Sequence, residues 1–234
     1  MINKQVDLVL VNRYYEYIVT LRPNVVAKKA EVDFKISRME LPHILWMLTK
    51  MKEPDFVNLT NNSHWLGWIQ CSLYFHGLID VKHERDKLKI KENEKMLLIT
   101  GGSQGSKNLN DAVLKHWDTL FKESNIRIYW STGENNFEEV NNKISKMKPN
   151  DVIRPYFSNM PSVMTASDLV ICRAGALTIS EVIELEKPSI FVPLNAGGQK
   201  ANADMLKEKT AALVYDYVDA EAALLKAIEL IKNN

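Results

Sequence analysis

From residue 96 onward the chain alternates between short apolar runs and segments with helical spacing. Residues 96–100 predict a strand, Gly101-Gly-Ser-Gln-Gly-Ser106 a tight turn, and Leu109, Ala112, Val113, Leu120 and Phe121 the buried stripe of one following helix. The alternation continues with strands at 126–131, 152–155, 169–172, 189–192 and 212–215. Helices are expected at 137–147, 160–166, 178–186, 199–208 and 221–231. Strands joined to helices through short connections predict a parallel sheet covered on both faces, an α/β domain of the doubly wound class.

The first part of the chain is less regular. Residues 6–11 predict a strand, the aromatic stretch 14–18 fits a strand or a helix, and 23–39 has no clear period. Leu41, Ile44, Leu45 and Leu48 recur at helical spacing and Pro42 is tolerated in a first turn, so a helix is expected from 41 or 42 to 52. A strand at 55–59 and a polar turn at 60–63 follow. The segment 65–75 is apolar almost all round, which suits a helix buried between layers or a membrane-facing patch. Lack of a strongly charged opposite face favours the core. A strand is expected at 78–83, and the charged run 84–94 is expected to be a linker. The pattern therefore divides the chain into a smaller α/β domain, 1–92, and a doubly wound domain, 93–234.

Composition narrows the function classes. Of 234 residues, 46% are hydrophobic and 25% charged, the mix of a globular protein, and 30 Lys and Arg balance 29 Asp and Glu. That balance leaves no overall basic field for nucleic acid. Cys71 and Cys172 lie in apolar surroundings far apart in sequence, which fits reduced thiols in the cytoplasm better than a disulfide or a zinc site. No signal-peptide core or spanning apolar run is evident. Nothing in the pattern asks for a metal or a cofactor.

In an open parallel sheet a ligand lies outside the carboxyl ends of the strands, so residues just after strands carry the information. Three such places stand out. The glycines of 101–106 let the backbone wrap an anion while Ser103 and the helix N-terminus donate to it; an empty glycine turn explains them equally well. Cys172-Arg-Ala-Gly-Ala-Leu-Thr-Ile-Ser-Glu181 opens a helix with small residues, and Glu181 can accept hydrogen bonds from hydroxyls. The competing explanation is a capping box of Thr178 and Glu181. The third place, 193–202, delivers Gln199 and Asn202, whose amides offer donor and acceptor to a sugar or cap the next helix. Together the loops supply donors for phosphates, a carboxylate for a ribose and amides for a hexose.

Gly101-Gly-Ser-Gln-Gly-Ser106, Cys172 to Glu181, Lys187-Pro-Ser-Ile-Phe-Val-Pro193 and Gln199-Lys-Ala-Asn-Ala203 resemble the donor-binding half of the MurG family. These are bacterial N-acetylglucosaminyltransferases of GT-B fold. The resemblance covers most of 95–232 and implies binding of UDP-N-acetylglucosamine. It places Ser103 and Gln104 at the diphosphate, Ala176, Leu177 and Thr178 beside it, and Glu181 on the ribose hydroxyls. The main chain near Phe157 and Met160 would meet the uracil, and Gln199 and Asn202 the sugar. Gly102, Gly105, Arg173 and Gly175 complete the substrate-binding set. The family often has two adjacent glutamines where this chain has Gly198-Gln199.

Residues 52–60 and 77–84 resemble the later part of the family's acceptor domain, with Asn61 and Asn62 where glycines are expected. The Gly-Gly-His loop that carries the family's candidate base is absent, as is the Gly-Asn-Pro-Val-Arg segment before the second domain. His64 and His83 are positional candidates for a base, and no catalytic residue is assigned. The resemblance implies an inverting enzyme that moves N-acetylglucosamine to a polyprenyl-pyrophosphate-linked acceptor, lipid I to lipid II, at the inner face of the cell membrane. Membrane contact would be peripheral, through the N-terminal part. The alternative is a UDP-sugar-binding subunit that needs a partner acceptor domain, supplied by another chain or a homodimer.

Overall fold

Six short strands, β1 (Lys95–Thr100), β2 (Ile126–Ser131), β3 (Val152–Arg154), β4 (Leu169–Cys172), β5 (Ser189–Phe191) and β6 (Leu213–Val214), build one parallel sheet in the order β3-β2-β1-β4-β5-β6, with β1, β2 and β4 buried almost throughout and the edge strands partly exposed. The computed structural model describes residues 15, 24, 41–52, 69, 72–73, 80–195, 198–208 and 212–233. The chain forms two compact units, Met1–Asp80 and Val81–Asn234.

In the first unit, α1 (Leu41–Met51) buries Ile44, Leu45, Met47, Leu48 and Met51, at the helical spacing expected. Ile69, Ser72 and Leu73 are helical and buried, and Tyr15 is helical with the Lys52 ammonium 3.4 Å from its ring centroid. The strands expected at 6–11 and 55–59 and the turn at 60–63 lie outside the described residues, as does His64.

The second unit opens with α2 (Val81–Lys87) where a strand and then a linker were expected. The charged run fails as a linker because its charges have fixed partners. The Arg85 guanidinium donates to the carbonyls of Ala166 (3.0 Å) and Glu94 (2.5 Å) and to the Asp168 carboxylate (2.8 Å), and that carboxylate also accepts the Met96 N–H at 2.7 Å. Glu94 is buried and paired with Arg127, which holds its carboxyl below the usual range. The segment 81–94 therefore belongs to the second unit, and the boundary falls at Asp80 rather than at residue 92.

The alternation then runs as expected, with small changes of bounds: β1 (Lys95–Thr100), β2 (Ile126–Ser131), α5 (Phe137–Lys143), β3 (Val152–Arg154), α6 (Met160–Ala166), β4 (Leu169–Cys172), α7 (Ala176–Glu184), β5 (Ser189–Phe191), α8 (Gln199–Glu208), β6 (Leu213–Val214) and α9 (Ala220–Asn233). The helix expected after β1 is two, α3 (Lys107–Lys115) and α4 (Trp117–Lys122). They break at His116, whose ring is held by Glu221 at 2.8 Å. Ala223, Leu224, Ala227, Ile228 and Ile231 of α9 join Leu109, Ala112 and Val113 of α3 in the core with the sheet's apolar side chains. The strand order reverses between β1 and β4, which opens a crevice at their carboxyl ends.

The Arg85 bonds are the test of this assignment. Arg85→Ala is expected to cost about 1–3 kcal/mol, because it orphans partly buried acceptors. Urea unfolding should show a lower midpoint, and unchanged stability would return 81–94 to the status of a linker.

Candidate functional site

The loops after β1, β4 and β5 meet at one side chain, Arg173. It follows β4 directly, and its guanidinium donates to the carbonyl oxygens of Gly101 (3.2 Å) and Gly105 (2.7 Å) in the β1 loop. Its Nε lies 3.4 Å from the Gln199 Oε1, which also accepts the Leu194 N–H at 3.1 Å. Asn202 donates to the Ala174 carbonyl at 3.1 Å. Burial lowers the Arg173 pKa, and no carboxylate among the described residues pairs with it. A half-buried cation held by neutral carbonyls keeps its charge available for an anion.

The glycine turn owes its shape to backbone packing. Gly105 has φ +75°, and a Cβ there would stand 2.0 Å from the Thr132 carbonyl oxygen, while one on Gly133 would meet the Gly105 nitrogen at 2.3 Å. Side chains cannot enter that contact, so the loops after β1 and β2 touch backbone to backbone. Asn110 fixes the arrangement: its Nδ2 donates to the Thr132 carbonyl at 2.9 Å and its Oδ1 accepts the Trp130 indole N–H at 3.0 Å. Gly102 faces open space, and Ser103 and Gln104 are exposed at the tip. The Gly105 requirement is thus met by Thr132 and Gly133, residues that the pattern after β2 did not single out.

Two helices begin at the crevice without side-chain caps. α3 starts after Ser106, whose hydroxyl is turned to Asn108 Oδ1 at 2.7 Å, and α7 starts after Gly175. Their first-turn N–H groups remain directed at the crevice. The capping-box explanation of Thr178 and Glu181 does not hold, because α7 begins at Ala176 and places Thr178 inside the helix. Ala176 and Leu177 are exposed beside the turn, and Thr178 is half-buried.

Glu181 lies one turn farther along α7. Its carboxylate is mostly buried and takes no hydrogen bond from a described residue, so desolvation pushes its pKa up to about 7. Its charge helps to raise the pKa of the Tyr156 phenol, after burial, and of the wholly buried Cys172 thiol. Phe157 and Met160 are buried at the start of α6, with the Phe157 ring 5.8 Å from that of Tyr129. The Gly133 N–H donates to the Pro155 carbonyl at 2.9 Å, tying this segment to the β2 loop.

His83 lies on α2, which Arg85 fastens to the amino end of β4, and His116 ends α3. Neither lines the crevice. No cluster suited to a metal occurs among the described residues.

Fold and loops define a parallel α/β domain of the doubly wound class, with the loops after β1, β4 and β5 gathered at one crevice. Residues 96–234 match the family model "Glycosyltransferase family 28 C-terminal domain", and the chain belongs to that family. Over 153 residues it is 48% identical to the UDP-N-acetylglucosamine--N-acetylmuramyl-(pentapeptide) pyrophosphoryl-undecaprenol N-acetylglucosamine transferase of Fusobacterium nucleatum subsp. nucleatum, covering 64% of this chain and 43% of that one. The enzyme of the same name from Chlorobium phaeobacteroides is 39% identical over 141 residues, 59% of this chain and 38% of that one. The crystal structure of Acinetobacter baumannii MurG superposes with a TM-score of 0.46 at 25% identity, over 64% of this chain and 53% of that chain. The chain spans about two fifths of the length of the curated relatives it matches.

The raised pKa of Glu181 gives a stability test with a definite sign. In the unfolded chain the carboxyl titrates near its ordinary 4.5, in the folded chain near 7, so between those values the folded state holds more protons. Its favourable contribution is complete below the lower value and lost as pH rises through the upper. The thermal midpoint of wild type relative to Glu181→Gln should therefore fall between about pH 5 and about pH 8. Parallel curves would refute the burial argument.

Proposed function

We propose that residues 81–234 bind UDP-N-acetylglucosamine and that the chain serves an inverting transfer of N-acetylglucosamine to a polyprenyl-pyrophosphate-linked acceptor, lipid I to lipid II. The observation that carries this reading is the convergence on Arg173 of the loops after β1, β4 and β5, with the Glu181 carboxylate, nearby in sequence on α7, taking no hydrogen bond from a described residue. The 48% identity to an enzyme named for this transfer supports it.

The chemistry divides between two sides. The acceptor hydroxyl attacks the anomeric carbon, the bond from that carbon to the UDP oxygen breaks, and a base takes the hydroxyl proton. This domain supplies the leaving-group side. The uncapped N-termini of α3 and α7 and the Arg173 guanidinium stabilise the negative charge that develops on the departing diphosphate. Ser103, Gln104 and the backbone at Gly102 and Gly105 lie at the same anion; Gly175, Ala176, Leu177 and Thr178 flank it. Glu181 takes the ribose hydroxyls, and the main chain around Phe157 and Met160 takes the uracil edge.

Gln199 and Asn202 contribute half an amide each to the sugar. The Gln199 oxygen is engaged by Leu194 and Arg173, leaving its NH2 free to donate; the Asn202 NH2 is engaged by Ala174, leaving its oxygen to accept. The polyprenyl acceptor sets the reaction at a membrane surface, on the cytoplasmic side where UDP-sugars are made, with the first unit as the acceptor side. A second reading is a UDP-sugar-binding subunit completed by a partner acceptor domain or a second copy, in which this domain holds the donor and supplies no base. No histidine base lines the crevice among the described residues.

Calorimetric titration with UDP-N-acetylglucosamine, followed by a transfer assay on lipid I, tests the proposal. Wild type should bind and Glu181→Ala should bind at least about tenfold more weakly, since hydrogen bonds to a charged group are lost. Absence of binding by wild type would sink the proposal. Binding with transfer supports an autonomous enzyme, and binding without transfer supports the subunit reading.

A further inference from the structure

The loop after β6 reaches the glycine turn, although β6 and β1 are separated in the sheet by β4 and β5. The connection is a side chain: Asn108, in the first turn of α3, donates from Nδ2 to the main-chain carbonyl of Tyr217. The same Asn108 accepts from the Ser106 hydroxyl at 2.7 Å through its Oδ1. Ser106 closes the glycine turn, so Tyr217 is fixed to the turn's own frame. Tyr217 begins a single 3-10 turn, Tyr217–Asp219, braced by the Asp219 N–H on the Asp216 carbonyl at 2.9 Å.

Held this way, the half-exposed Tyr217 makes no side-chain hydrogen bond to a described residue. Its phenol lies close enough to Arg173 to act on that guanidinium electrostatically. A tyrosine whose main chain is anchored at a helix N-terminus, beside a cation that no described carboxylate pairs with, has a hydroxyl with the chemistry of an anion contact. Neighbouring Val218 is 80% exposed and takes no part in this network.

We infer that Tyr217 is a further ligand-binding residue, whose phenol hydroxyl donates to the diphosphate that the glycine turn and Arg173 hold. The inference rests on the nucleotide-sugar reading of the site and adds a fourth strand-end loop, after β6, to those already described. It also gives the Asn108 bond a purpose beyond packing, because that bond sets where the hydroxyl can reach.

Tyr217→Phe keeps the ring and removes only the hydroxyl. In calorimetric titrations the variant should bind UDP-N-acetylglucosamine about tenfold more weakly than wild type, the scale of one hydrogen bond to a charged group, and bind uridine equally well. Val218→Ser should leave both affinities unchanged. Equal affinity of wild type and Tyr217→Phe for UDP-N-acetylglucosamine overturns the inference while the nucleotide-sugar reading stands. An equal loss for uridine also overturns it, since the effect would then come from the fold or the base. Failure of wild type to bind UDP-N-acetylglucosamine defeats that reading and the inference together.

Discussion

A guanidinium that no carboxylate among the described residues pairs with organises the crevice end of this domain. Arg173 sits immediately after β4, and its bonds to Gly101, Gly105 and Gln199 determine how the loops after β1, β4 and β5 stand relative to one another. Neutral carbonyls satisfy the geometry of an arginine but do not neutralise it. The cost of removing that charge from water is offset only partly by dipoles, which is why burial lowers its pKa. On the proposed reading, a bound anion supplies what the carbonyls do not.

The opposite end of the sheet is arranged differently. There Arg85 pairs with Asp168, Arg127 with Glu94, and Lys148 lies 3.6 Å from Asp151. The Lys187 ammonium donates to the carbonyls of Thr165 and Ser167 at the end of α6, and burial pulls its pKa down to about 8. Arg127 Nε and Asp151 Oδ2 lack hydrogen bonds, yet both belong to groups with an oppositely charged neighbour. Charges at the amino ends of the strands are spent on one another and on helix ends. Arg173 after β4 and Glu181 on α7 have no oppositely charged partner among the described residues.

That contrast explains what the sequence could and could not reveal. The strands were legible because a parallel sheet buried on both faces needs continuous apolar runs, such as 96–100 and 169–172, and chance seldom produces several in alternation with helical stripes. The glycine turn and the small residues of 174–176 were legible for the same local reason. The segment 81–94 was not, because Arg85 and Glu94 owe their structure to Asp168 and Arg127, partners that no local period can indicate. Arg173 entered the candidate set without a role, and Tyr217, proposed above, was outside it, since the contacts of each cross loops brought together only by the strand order. The Gly133 contact with Gly105 left only a lone glycine after β2 as its trace.

Glu181 shows how such a site stores binding capacity. A carboxylate placed in dry surroundings beside its own hydrogen-bond donors would have a depressed pKa and nothing left to offer. Here the nearest effects of its charge fall on Tyr156 and Cys172, whose pKa values it raises, and desolvation dominates its own titration. The folded protein therefore carries a destabilised anion that vicinal hydroxyls can relieve by donating to it. The first-turn N–H groups of α3 and α7 carry no side-chain cap, as is also true of α4, α5 and α6, but those of α3 and α7 begin at the crevice. Each of these groups is a modest cost to the empty domain, and on the proposed reading each is recovered by a ligand that brings hydroxyls to one side of the crevice and negative charge to the other.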